Sequence, residues 1–248
     1  MFELSWIGWT IVTLVFIMTG INKTGLPTLG ILTVTMMMFI FPVKTAVGIM
    51  LPILLIADIF AVIYYRRNAN WRLIISLLPW VLGGLALGYV ILQLLDGEVL
   101  RKLIGTIVLI LIVLQLMRNK FGKRFNEMLP ESRWFSALMG ILGGFTTMVG
   151  NAAGEVMSIY FMVKNLPKKE FVGTVAWFFF TVNMIKLPIF IHLGMITTET
   201  FKFDLLLAPL IIGGALLGVN ILPRLPKHIF EGAILIAAAV GGVLLLLT

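Results

Sequence analysis

The sequence predicts an all-α polytopic membrane protein made of two inverted repeats. Each repeat is a broken or re-entrant helical hairpin plus three transmembrane helices. Three observations lead there: an extreme composition, a glycine–proline signature that occurs twice, and the placement of basic residues. Of 248 residues, 60% are hydrophobic and 12% charged, against about 45–50% and about 25% in soluble domains. A bilayer core of about 30 Å takes roughly 20 apolar residues per helical pass, so many passes fit and little remains for a soluble domain.

Eight apolar blocks follow in order, to be folded as about ten helices: Trp6–Phe41, Thr45–Tyr65, Leu73–Leu95, Leu103–Met117, Trp134–Val163, Phe171–Ile191, Leu205–Leu222 and Ile229–Leu247. The basic linker at 118–133 separates a first repeat, 1–117, from a second, 134–248, within one membrane domain. The halves align through their glycines and prolines. Leu78-Pro-Trp-Val-Leu-Gly-Gly-Leu-Ala-Leu-Gly88 matches Ala208-Pro-Leu-Ile-Ile-Gly-Gly-Ala-Leu-Leu-Gly218, five of eleven positions being identical at an offset of 130. Upstream, Pro42, Lys44, Val47 and Gly48 match Pro167, Lys169, Val172 and Gly173 at an offset of 125. Internal repeats of this size are a feature of transporters.

Charge decides how the blocks cross. If each crosses once, Lys and Arg divide as nine against eight, with no bias. If the first and fifth blocks return to the side they entered from, the division becomes thirteen against four, with Lys23 and Lys186 inside the membrane. The positive-inside rule then places the larger set in the cytoplasm and both termini outside. A hairpin plus three passes is an odd count, which inverts one repeat relative to the other. Both blocks are too long for one upright pass, and each contains a polar interruption, at Asn22–Pro27 and at Thr146–Glu155. Re-entrant arms and two short full passes both satisfy the parity.

The interruptions carry the candidate site. Unpaired polar groups in hydrocarbon cost several kcal/mol, so broken backbone at membrane depth persists only inside protein or beside a water-filled cavity. Lys23 follows Asn22 and precedes Thr24, and it either snorkels to an interface or offers a cation to an anion. Lys186 lies one turn after Asn183 on one helix face, followed by Pro188, where a local break is expected. With Thr146, Thr147 and Asn151 of the second interruption, these residues form a polar set suited to a small anion. Asp58 stands at the position equivalent to Asn183, since 58 plus 125 is 183. It is a mid-segment carboxylate that needs either a basic partner or a coupling proton. Glu155 either caps the helix restarting after Gly154 or shares that proton role. The glycines of the repeated signature read as helix-packing positions.

Other chemistries find little support. Without cysteine there is no disulfide or thiolate site, and His192 and His228 fall in no zinc or haem spacing. No Ser/His/Asp set, metal cluster or nucleotide loop marks an enzyme, and no cofactor is expected. The formal charge of +8 reads as cytoplasmic loops in a lipid bilayer, not as a nucleic-acid surface.

The run Leu166-Pro-Lys-Lys-Glu170, Val172-Gly-Thr174, then Asn183-x-x-Lys186-x-Pro188 resembles the second half of the sulfite exporter TauE/SafE family. Pro42, Ala46-Val47-Gly48, Asn70-Trp71-Arg72 and Pro79…Gly83-Gly84…Gly88 resemble the first half more loosely. The resemblance implies a multi-pass bacterial inner-membrane transporter exporting sulfite or organosulfonates with coupled protons. An anion channel, or a transporter of another small carboxylate or oxyanion, is the alternative.

Overall fold

The computed structural model describes residues 2–24, 29–65, 69–122, 129–130, 132–164, 166–220 and 227–247. Among these, ten α-helices and no strand occur. In chain order they are α1 (Trp6–Thr24), α2 (Leu29–Ile40), α3 (Val43–Tyr65), α4 (Trp71–Leu94), α5 (Gly97–Phe121), α6 (Arg133–Gly150), α7 (Gly154–Val163), α8 (Lys168–His192), α9 (Thr198–Asn220) and α10 (Lys227–Leu247). Six of them, α1, α3, α4, α5, α8 and α9, are long and apolar enough to cross a membrane. Large apolar side chains such as Leu87, Leu94, Ile110, Val113, Leu206 and Leu216 face outward. Exposed apolar surface on that scale suits lipid, not water.

Local chemistry sets the helix ends. Asp96 caps α5 by accepting from the Val99 N–H at 2.9 Å, and Ser132 caps α6 by accepting from Phe135 at 3.0 Å. Asn70 caps α4 through the Leu73 N–H while its own amide donates to Glu170 at 2.7 Å. Its backbone N–H donates to Thr174 at 2.9 Å, and Trp71 stacks obliquely on Trp177. One short motif in the first half is thereby tied to the start of α8.

The fifth block divides into α6 and α7, but the break is narrower than Thr146–Glu155. Helix α6 runs on to Gly150 and only residues 151–153 leave the helical path. Asn151 stops it in the left-handed region (φ 54°), with its N–H donating to Thr147 and that of Ala152 to Thr146. The first block divides into α1 and α2; Gly25, Leu26 and Pro27 of its expected break lie outside the described residues, as do Arg66, Arg67, Lys123, Arg124 and Arg224 of the charge count. The second arms, α2 and α7, have 12 and 10 residues. At about 1.5 Å per residue neither crosses a core of about 30 Å upright. No break occurs at Pro188: α8 continues through it to His192. A proline removes one N–H bond, and only four residues remain beyond it, so membrane surroundings tolerate the loss.

Helix α1 lies along α9, and α6 along α4. Glycines set both seams. A methyl group on Gly84 would overlap the Ile141 carbonyl, and one on Gly144 the Val81 carbonyl. Likewise Gly20 faces the Ile211 carbonyl and Gly214 that of Ile17. Gly83 and Gly213, next in sequence, face open space. Only one glycine of each doublet therefore works as expected. Gly84→Ala and Gly214→Ala are expected to cost about 1–3 kcal/mol through overpacking. Gly83→Ala and Gly213→Ala are expected to be neutral or better. Thermal unfolding of the purified protein in detergent checks the contrast.

Candidate functional site

Four helices bring the polar residues of the interior together. Lys23, one residue from the end of α1, places its ammonium 2.7 Å from Asp58 Oδ1 on α3. That oxygen accepts no hydrogen bond of standard geometry, so the ion pair is what serves it. Asp58 Oδ2 accepts from the Asn183 amide on α8 at 2.7 Å. The two side chains are 125 positions apart, the offset at which the halves align, and both are buried.

Asn183 continues the chain of contacts. Its carbonyl oxygen lies 3.5 Å from Lys186 Nζ, a long hydrogen bond one turn along α8. Lys186, which is fully buried, also donates to Thr147 at 3.1 Å and to the side-chain oxygen of Asn151. Three acceptors match the three N–H bonds of an ammonium group. The Phe190 ring lies 5.1 Å from Lys186 Nζ, and Phe179 lies 4.5 Å from Lys23 Nζ. Aromatic faces stabilise a cation without neutralising it. Among the described residues, no carboxylate pairs with Lys186. All its partners are neutral.

Asn151 holds the turn and the site at once. Its left-handed backbone ends α6, its oxygen faces Lys186, and its Nδ2 donates to the Val47 carbonyl on α3 at 2.9 Å. Asparagine tolerates this backbone region better than most residues.

Of the other expected site residues, Thr146 is buried but turns its hydroxyl to Leu142 and Gly143 of its own helix. Asn22 sits on the last turn of α1 with its amide against Gly30 of α2, between the arms of the first hairpin. The Thr24 side chain lies outside the described residues. Glu155 is buried in the first turn of α7, with Oε1 lacking a hydrogen-bond partner. The structure therefore joins Lys23, Asp58, Thr147, Asn151, Asn183 and Lys186. Phe179, Phe190 and the Val47 carbonyl were not anticipated. An aromatic run such as Phe178–Phe180 in an apolar segment carries no signal that separates a cation contact from helix packing. Among the described residues, no cluster of His, Cys, Asp or Glu is arranged to hold a metal ion.

A family model described as sulfite exporter TauE/SafE matches residues 11–245. The chain belongs to that family. TauE/SafE is a transporter family of membrane anion exporters, in keeping with the six apolar helices. Searches of curated proteins and of solved structures return no match.

Asn151→Gly and Asn151→Ala separate the two duties of the turn. Glycine keeps the left-handed backbone and removes both amide links, whereas alanine adds about 1–2 kcal/mol of strain. The glycine variant is expected to unfold at a higher temperature than the alanine variant, and both at a lower one than wild type. Thermal unfolding of the purified variants in detergent measures the order.

Proposed function

We propose that the chain is a proton-coupled exporter of small sulfur-containing anions, sulfite or an organosulfonate, bound between Lys23 and Lys186. The carrying observation is Lys186, a fully buried amine whose hydrogen-bond partners are all neutral. A buried amine with no carboxylate in direct contact is costly to charge, and ionisable residues inside membrane spans mark substrate or ion pathways by default. A bound anion supplies the missing charge. Lys23 is answered from within the chain by Asp58, so an arriving anion competes with that carboxylate for it. Asp58 then acts as a counter-ion, and Thr147, Asn151 and Asn183 position the ammonium and the ligand.

The proposal extends to architecture. The Asp58–Asn183 contact joins equivalent positions of the two halves, and the α1–α9 and α4–α6 seams correspond under the same alignment. Both fit inverted repeats about an axis between α3 and α8, rocking in alternating access about a central site. The short second arms favour re-entrant hairpins, with both termini on the extracytoplasmic face.

Flux into proteoliposomes of sulfite and of sulfoacetate tests the reading. Lys186→Met is expected to lower transport roughly tenfold or more, because a hydrogen bond to a charged group is worth about 1.5–3 kcal/mol. Undiminished flux in that variant removes Lys186 from the site. Transport against an anion gradient excludes the channel alternative, and strictly downhill flux supports it.

A further inference from the structure

The described interior holds three buried carboxylates on membrane helices, and their surroundings differ. Asp58 has the Lys23 ammonium and the Asn183 amide. Glu155 has its own backbone N–H and the nearby charge of Arg118. Asp204, the seventh residue of α9, has neither. It is 1% exposed, and both its oxygens lack a hydrogen-bond partner among the described residues.

The charged and titratable side chains near Asp204 are few. Helix α9 packs against α1 and α3. Their described charged groups are Lys23, already paired with Asp58, and Lys44 at the start of α3. Glu3 precedes α1 and is exposed, and Glu199 and Lys202 lie on exposed positions of α9 itself. None of those described forms an ion pair or hydrogen bond with Asp204. An isolated carboxylate in such a setting neutralises instead of remaining charged.

The position is also informative. Phe203, its neighbour, is the centre of an aromatic cluster with Phe2, Trp9, Phe16 and Phe41. That cluster joins α1 to α9 in the second turn of α9. Ile211, seven residues beyond Asp204 and so about 10 Å along the helix, packs on Gly20, one turn before Lys23. Asp204 therefore follows the central residue of that cluster on α9, the helix that packs along α1, which carries Lys23.

We propose that Asp204 is a proton-carrying carboxyl of the transport cycle. It holds one proton while the aromatic cluster is closed and gives it to water when the seam opens. A group that is neutral in one conformation and ionised in another links proton binding to the conformational change. This rests on the transporter reading above, and the tests below separate the two.

Asp204→Asn keeps the shape and neutrality of the protonated acid, so the purified full chain is expected to stay folded, as judged by its unfolding midpoint. Sulfoacetate–sulfoacetate exchange in proteoliposomes is expected to stay within about twofold of wild type, while accumulation driven by an imposed pH gradient falls by about tenfold or more. Wild-type accumulation in the variant, or loss of exchange and accumulation together in folded protein, overturns the proposal. Infrared spectroscopy gives an independent readout: the protonated-carboxyl C=O band at neutral pH is expected to lose one component in the variant relative to wild type. An unchanged band overturns the proposal whatever the flux data say. A wild-type protein inert in both flux assays sinks the transporter reading and the coupling role with it. The infrared band then decides separately whether Asp204 holds a proton.

Discussion

Two lysines among apolar helices, Lys186 fully buried and Lys23 partly so, impose the demand around which the interior is arranged. Lys186 is fully enclosed and Lys23 largely so, and protein oxygen meets both. The two solutions differ. Lys23 takes a carboxylate, Asp58, and the charges cancel. Lys186 takes a hydroxyl and two amide oxygens, which satisfy its N–H bonds and leave its charge. That difference between the two lysines carries the anion-transport proposal.

The demand explains why the chain breaks where it does. Asn151 Oδ1 reaches Lys186 from a turn that ends α6 early and starts α7 three residues later. A continuous helix would carry the chain past the lysine, while an asparagine in the left-handed region both stops the helix and faces the ammonium. The same amide donates to Val47 on α3, so the second hairpin is fixed to the helix that carries Asp58. Glycine seams bring the remaining helices close enough for these contacts. With no hydrophobic drive between helices in lipid, close backbone approach is what binds them.

Much of this was legible in the sequence because membrane burial makes polar residues conspicuous. Lys23, Asp58, Asn183 and Lys186 stand out in apolar runs, and the repeat offset links Asp58 to Asn183 before any contact is known. Direction was not legible. Thr146 and Thr147 are adjacent but point about 100° apart on a helix, and only Thr147 meets Lys186. Pro188 suggested a break that α8 does not make. Asp204 escaped notice because the apolar block was drawn from Leu205, leaving it at a loop edge. Thr197 and Thr200 bond to one another at the start of α9, which begins at Thr198. Asp204 thereby becomes an interior helical residue.

The most direct test of the account is an experimentally determined structure of the protein with sulfite bound. The account predicts the anion between the Lys23 and Lys186 ammonium groups, within hydrogen-bond reach of Thr147 or Asn183, with the Lys23–Asp58 pair loosened to admit it. An anion bound elsewhere, with the chain from Lys23 to Asn151 unchanged, would contradict it.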